Sequence, residues 1–311
     1  MRVFDLPEIL SALDRDEVLA AIEDAFRRLH LGQAQVAAVG HLGFVDPPGT
    51  CHVKGGYLDG DDVFVFKIAT SFYRNPIHGL SSSNGSMLVV SARTGEQLAL
   101  LHDEGQLTDE RTALAGAIAA RAIARTDTKV LGVVGTGIQA RMQARAITET
   151  LGIRELLIWG RDCKRAQMLA DEVGGQVVGL NELCARADLV VTTTASTVPL
   201  LSETMVRPGT RIVAVGADAP GKQELATALT GNARIVVDSR AQCVAHGEAG
   251  WAVRAELVDE DALIPLGDLL IAPRAFGPED IVVADLTGVA VQDVAIAKSV
   301  WARLAAREPG R

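Results

Sequence analysis

Cysteine is scarce in this 311-residue chain, and Cys51, Cys163, Cys184 and Cys243 stand apart with no CxxC pair. That scatter supplies neither a disulfide framework nor the ligand spacing of a structural zinc site. The six histidines are equally dispersed and no HExxH occurs, so no metal is expected. Apolar runs are short, none approaching the roughly 18 residues of a membrane-crossing helix, and no membrane partner is expected. Positive charge is not in excess: 30 Lys and Arg against 39 Asp and Glu give a formal net charge of -9. A nucleic-acid partner would favour a basic face, so none is expected, although a local basic pocket stays open. The N-terminal MRVFDLPEIL places Asp5 and Glu8 where a secretory signal needs an unbroken apolar core, which makes the cytoplasm the expected location. What remains is a globular balance of 48% hydrophobic and 22% charged residues. The length suits roughly two domains, each able to bury a core without staples, with small molecules as the expected ligands.

Periodicity divides the chain. Residues 7–31 carry Ile9, Leu10, Leu13, Val18, Leu19, Ile22, Phe26 and Leu29 near helical spacing, which predicts an amphipathic helix. From 50 to 102 the pattern is that of strands. CHVKGGYL and VFVFKIAT flank Asp59-Gly60, and SMLVVS and EQLALL flank Ala92-Arg93-Thr94-Gly95, the turn chemistry of two hairpins in an antiparallel sheet. Thr108 and Asp109 then offer an N-cap to an alanine-rich helix over 110–125. From Lys129 strands and helices alternate: KVLGVV, a helix over 138–151, ELLIWG, a helix over 162–173, QVVG, DLVVTTTA, RIVAVGA and RIVVDS. Such alternation predicts a doubly wound parallel sheet. The tail with VQDVAIAKSVWARLAA reads as a helix able to return to the first domain. The expected fold class is therefore α/β. A Rossmann domain over 128–285 is inserted in a mixed α+β domain formed by 1–127 and 286–311, which would bind substrate and mediate dimerisation.

VLGVVGTGIQARMQA places Gly135, Thr136, Gly137, Ile138 and Gln139 between a strand and a helix, with Ala140 in the third fingerprint position. Gly135 allows the tight turn and Gly137 lets the backbone approach a pyrophosphate. The helix N-terminus offers free amides and the positive end of its dipole. The alternative is an ordinary glycine turn. NAD sites usually end the second strand with an acidic residue for the ribose hydroxyls, but here the strand ends Trp159-Gly160-Arg161. Arg161, Lys164 and Arg165 begin the next helix, where cations oppose the dipole unless an anion such as a 2'-phosphate compensates. That favours NADP over NAD. In the other reading these are solvated charges and Asp162 caps the helix. Thr193, Thr194 and Ala195 end a later strand and should lie near the nicotinamide side, and Val215 and Gly216, within RIVAVGA, are further candidates for cofactor binding.

GTGIQA after a strand, VGADAPGKQEL after a later one, LTDERTALAG before the crossover and TGVAVQDVAIAK near the end together resemble the ornithine cyclodeaminase/mu-crystallin family. The resemblance spans nearly the whole chain, with VGADAPGKQEL most similar to archaeal-type alanine dehydrogenases and cyclodeaminases. It implies homodimers, a Rossmann domain inserted in a substrate and dimerisation domain, and reactions on small amino and imino acids. The family's substrate-binding lysine falls on Lys67, the arginine of its LTxxRT motif on Arg111, and its acidic catalytic residue on Asp218. Thr287 and Gly288, in the last motif, are further candidates for substrate contact.

The residues themselves admit two readings each. Alternation puts Lys67 on the face of Val63 and Val65, where a buried ammonium would need a carboxylate; otherwise it guards an edge strand. Arg111, in the first turn of the expected helix, either shares an anion with the free amides or is solvent-exposed. Asp218 follows a parallel strand at the end where open sheets bind ligands, or serves the turn ahead of Pro220-Gly221. There is one departure from the family. Ornithine cyclodeaminases carry an acidic residue on the strand before the lysine strand, where this chain has Cys51-His52-Val53-Lys54. An acid suits a diamine, whereas His52 and Lys54, on one strand face, suit an additional carboxylate or simply meet solvent.

The expected activity is hydride transfer between nicotinamide C4 and the alpha carbon of a small imino acid, as in a ketimine reductase or amino acid dehydrogenase. Lys67 and Arg111 would hold the carboxylate, and Asp218 would bind or protonate the imine nitrogen. A cyclodeaminase with tightly bound NAD, and a crystallin-like NADP-binding protein without turnover, are the alternatives.

Overall fold

The structure, a computed structural model, describes residues 1–72 and 74–307. In chain order the elements begin β1 (Arg2–Phe4), α1 (Leu6–Ala12), α2 (Arg15–His30), β2 (Ala34–Val36), β3 (Gly40–Phe44), β4 (Gly49–Leu58), β5 (Val63–Phe72), β6 (Ser83–Ser91), β7 (Gln97–Leu101) and α3 (Gln106–Ile123). They continue β8 (Val130–Val134), α4 (Ile138–Leu151), β9 (Glu155–Trp159), α5 (Cys163–Val173), β10 (Gln176–Val177), α6 (Leu180–Arg186), β11 (Leu189–Thr192), β12 (Arg211–Ala214), α7 (Thr227–Gly231) and β13 (Arg234–Val237). The last are α8 (Arg240–His246), α9 (Ala249–Arg254), β14 (Ile264–Pro265), α10 (Leu266–Ile271), β15 (Val282–Asp285) and α11 (Ala290–Ala306). The chain forms two compact units. One comprises Met1–Thr112 with the segment from Val289 onward, and the other comprises Ala113–Gly288.

The first unit is built on a mixed sheet of order β1-β7-β6-β5-β4-β2, with β3 also pairing β4. Among the described residues only the β1–β7 pair is parallel. α11 packs on β4, β5 and β6 and against α2. Small side chains let it come close, for a Cβ added at Gly56 of β4 would meet the Ala290 and Val294 side chains at 3.3 and 3.2 Å. A helix buried at Val291, Gln292, Asp293, Val294, Ile296 and Ala297 has no solvated face there, so any charge on that stretch must find a partner inside. β5 alternates as expected, with Val63, Val65 and Lys67 buried while Phe66 and Ile68 are exposed.

Two expectations for this unit are corrected. The helix over 7–31 is two helices, because Asp14 leaves the helical conformation and its side chain accepts the Glu17 amide to cap α2. α1 has its own capping box, formed by Asp5 and Glu8. The alanine-rich helix starts at Gln106 rather than 110, and its cap is Asp103, whose Oδ2 accepts the Leu107 amide at 2.9 Å. Thr108 and Asp109 are therefore inside the helix, and Arg111 is in its second turn, not its first.

The second unit is the doubly wound sheet, all parallel, of order β10-β9-β8-β11-β12-β15-β13-β14. The helix over 138–151 is found at those bounds and ends where Gly152 turns left-handed. β8 continues to β9 on one side and pairs with β11 on the other, so the strand order reverses between β8 and β11. That switch point is where such sheets bind ligands. β15, which the alternation did not reveal, inserts between β12 and β13. Among the described residues no helix is long and apolar enough to cross a membrane.

Candidate functional site

In the second unit, the loop after β8 lies at the switch point. Gly135 has φ of +131°, and a Cβ there would lie 2.4 Å from Thr193 Oγ1, so only glycine fits. Thr193, just after β11, is tied to the same strand by hydrogen bonds from its amide and hydroxyl to the Val134 carbonyl. The Gly135 amide in turn donates to the Trp159 carbonyl of β9, and Thr136 covers Gly160 so closely that a Cβ there would be 2.4 Å from its methyl. In front of Gly137, which caps α4, nothing lies within 4 Å of an added Cβ. An open space facing the first amides of a 14-residue helix is what a pyrophosphate requires. Ile138 and Gln139 form that first turn, and Ala140 is fully buried beneath it.

At the end of β9, Arg161, Lys164 and Arg165 are exposed. Asp162 caps α5, its Oδ1 accepting the amides of Lys164 and Arg165 at 2.9 and 3.2 Å. Asp218, after β12, is also exposed and pairs with Lys222 at 2.6 Å. The Val215 amide donates to the Thr192 carbonyl, and Thr194 and Gly216 are organised by a residue that periodicity gave no reason to single out. Glu224, fully buried, accepts the Thr192 hydroxyl at 2.7 Å, the Thr194 amide, and the Gly216 amide at 2.9 Å. Its own amide is held by the Glu248 carboxylate. Ala195 follows in the same loop. Thr287 and Gly288 turn their amides to the Asp238 carboxylate at 2.9 and 2.8 Å.

In the first unit, Lys67, Arg111 and Asp293 form one cluster, and all three are at least nine-tenths buried. Lys67 Nζ donates to Asp293 Oδ1 at 2.7 Å, and Arg111 Nε lies 3.0 Å from the same oxygen. Arg111 Nη1 also donates to Gln292 Oε1 at 2.8 Å. The carboxylate that alternation demanded for Lys67 is thus 226 residues away. Its signal in the sequence was an acidic residue in the mostly apolar first half of a helix. Two cations on one anion leave positive charge inside the unit. Burial, then Arg111, lowers the Lys67 pKa to about 7 against the pull of Asp293. For Asp293, burial alone would raise the pKa, but Lys67 and Arg111 override it and hold it down. Gln292 Nε2 and Asp293 Oδ2 are buried without hydrogen-bond partners among the described residues. A buried donor of this kind calls for a partner, an ordered water or a ligand, to satisfy it. Lys54 stands opposite Lys67 across the β4–β5 pair and His52 opposite Ala69, both half-buried.

The sequence profile of the ornithine cyclodeaminase/mu-crystallin family matches residues 4–308. The alanine dehydrogenase of Archaeoglobus fulgidus is 33% identical over 310 residues, which cover 97% of this chain and 95% of that one. Among solved structures, an archaeal alanine dehydrogenase dimer with bound NAD is similar with a TM-score of 0.92 at 31% identity, covering 100% of this chain and 98% of that chain. The iminosuccinate reductase of Paracoccus denitrificans, in complex with NAD+, is similar with a TM-score of 0.90 at 30% identity, covering 99% and 97%.

Proposed function

Because the chain belongs to the ornithine cyclodeaminase/mu-crystallin family, we propose that it is an NAD(P)-dependent reductase of small α-imino acids, reversible as an amino acid dehydrogenase. The observation that carries this reading is the pair of buried cations, Lys67 and Arg111, sharing one oxygen of Asp293. Two positive charges held by one negative charge in a dry interior are unstable unless an anion joins them, and an α-carboxylate is such an anion. The glycine loop fits a dinucleotide, since its space before α4 is open and its tight turn needs glycine. When bound, the reduced nicotinamide supplies a hydride to the imino carbon. Lys67 and Arg111 bind the carboxylate in this reading, Arg111 through its fork and Lys67 as a point charge. Gln292 donates from Nε2. Asp218 holds the imine nitrogen in its protonated form, which makes the neighbouring carbon more electrophilic. Glu224 keeps the loops after β11 and β12 in place through Thr194 and Gly216.

For the dinucleotide we favour NADP over NAD, since the first acidic residue after β9, Asp162, is committed to capping α5. Arg161 beside it is free of that duty and would meet a 2'-phosphate. The outer face of the first sheet exposes Leu42, Phe44, Val53, Phe66 and Ile68. A second copy of this chain would cover it, as suits a protein similar to a dimeric relative.

The test mixes the protein with NADPH or NADH and a panel of imino acids, and follows dinucleotide oxidation. Oxidation abolished by Lys67→Met and strongly reduced by Asp218→Asn is expected, with NADPH preferred and that preference lost in Arg161→Ala. The kcat/KM should fall as pH rises through about 7, where free Lys67 loses its charge. Release of ammonia from ornithine without net dinucleotide consumption would overturn the reading in favour of a cyclodeaminase. Dinucleotide binding with neither reaction would leave a binding protein.

A further inference from the structure

The turn that carries Asp218 is anchored at one end. Gly221 has φ of +81°, where a side chain would be strained, and the Lys222 amide closes the turn by donating to the Ala219 carbonyl at 3.2 Å. The Lys222 carbonyl accepts the Trp251 indole N–H of α9 at 3.1 Å. The Gln223 amide donates to the Ser196 carbonyl at 2.8 Å, and the Glu224 amide is held by the Glu248 carboxylate. The backbone is thus tied at each of these three residues, and Gln223 and Glu224 are buried. At the other end Asp218, Pro220 and Gly221 are exposed. The Lys222 side chain reaches back across the turn, its Nζ donating to Asp218 Oδ1 at 2.6 Å. It is 20% exposed, against 51% for Asp218.

An ion pair open to solvent lends little stability, so the worth of this one lies in where it puts a carboxylate. An ionised aspartate has about four lone-pair sites, so pairing at Oδ1 is compatible with a second donor. A group that acts on a reacting atom loses much of its effect when misplaced by about an ångström, and a change of rotamer moves an aspartate carboxylate farther than that.

We propose that Lys222 is a positioning residue, which from its anchored backbone aims the Asp218 carboxylate at the imine nitrogen and thereby sets kcat. This rests on the imino acid reading above. Lys222 acts through Asp218, takes no part in hydride or proton transfer, and leaves the α-carboxylate to Lys67 and Arg111.

The test is a double-mutant cycle on imino acid reduction at saturating dinucleotide. It compares the wild type, Lys222→Met, Asp218→Asn and the two substitutions together, with Lys222→Arg as the variant that keeps the charge. Lys222→Met should lower kcat about 10-fold, short of the loss that a full ångström of misplacement causes, with KM for the imino acid within about twofold of the wild type. In the Asp218→Asn background the same substitution should change kcat by less than about twofold, because residues that act through one another are not additive. Lys222→Arg should restore most of the rate. Equal factors in the two backgrounds, or a Lys222→Arg enzyme as slow as Lys222→Met, would overturn the proposal while the imino acid reading stands. So would a clearly lowered urea midpoint in Lys222→Met, the mark of a residue that serves the fold. Undiminished reduction by Asp218→Asn would remove the Asp218 role on which the proposal rests, and absence of reduction of every imino acid by the wild type would sink the functional reading separately.

Discussion

On the inner face of the first sheet, Lys67, Arg111 and Asp293 are buried as charges of opposite sign. Behind the strand ends of the second unit, Glu224, Glu248 and Asp285 are buried as acids that accept backbone amides, those of Thr194, Gly216, Glu224, Leu225 and Ala249. The electrostatic outcomes are opposite. Cations hold the Asp293 pKa below the ordinary carboxylate range, whereas burial, stronger than the amides, raises Glu248 to about 9, Asp285 to about 7, and Glu224 above its usual value. A carboxylate that can neutralise itself serves as a brace between loops, since its hydrogen bonds survive protonation in part. In the cluster the positive members outnumber the negative one, burial and Arg111 push the Lys67 pKa down to about 7, and the reading proposed above completes it with an anionic ligand. The first arrangement is scaffolding, and the second is the seat we propose for substrate.

The contrast breaks most visibly at Asp293. Asp293→Ala leaves two buried cations unpaired and should cost about 3–5 kcal/mol, read as a lowered urea midpoint at unchanged slope. The triple variant Lys67→Met/Arg111→Met/Asp293→Leu, which removes every charge of the cluster, should recover most of that stability yet show kcat/KM reduced by roughly 10²–10³. A single variant that loses under 1 kcal/mol would mean the cluster is not held by opposite charge. Glu224→Gln tests the brace. Its new amide donor confronts the amide of either Thr194 or Gly216, which donate to different oxygens, so a loss of about 1–3 kcal/mol is expected, with dinucleotide KM rising more than kcat falls.

The two regions should also respond to pH in opposite directions. Glu248 and Asp285 titrate higher folded than unfolded, so the stability they lend is complete below the unfolded pKa and fades as pH rises through about 7 for Asp285 and about 9 for Glu248. Lys67 titrates lower folded than unfolded, so its contribution is complete above 10.5 and fades as pH falls through about 7. Native-state hydrogen exchange on the whole protein, corrected for intrinsic rates, should therefore show protection in 215–225 and 247–250 falling between pH 7 and 9, while that of β5 and α11 rises. A change of about tenfold is expected for each titrated unit, and parallel trends in both regions would refute the contrast. The smallest effect is expected at a purely local device, with Asp162→Ala removing the α5 cap for about 1 kcal/mol in thermal unfolding.

Legibility followed the range of the interactions. The α4 helix, the glycine loop and the burial of Lys67 were readable because a period of 3.6, a positive φ and a period of 2 are written within a few neighbouring residues. The start of α3 was misplaced by four residues. Thr108 and Asp109 are capping types, but the backbone turns at Gly105 (φ +87°) and hands the role to Asp103. β15 escaped because a strand's place in a parallel sheet depends on which neighbour its crossover reaches, and the residues of VVAD do not encode that. Glu224 sits inside VGADAPGKQEL, yet its spacing from Thr192 and Gly216 carries no periodic signal.

By itself the sequence determined the doubly wound architecture, the helix that opens at the glycine loop, and the face of β5 on which Lys67 lies, since each follows from backbone sterics and the local alternation of apolar and polar residues. Only the tertiary structure decided that Asp293 answers Lys67 and Arg111, that Lys54 stands opposite Lys67, and that three buried acids brace the strand ends through backbone amides. Those pairings join residues far apart in the chain. Their energies arise only when folding has removed the water that would otherwise have screened each charge from the others.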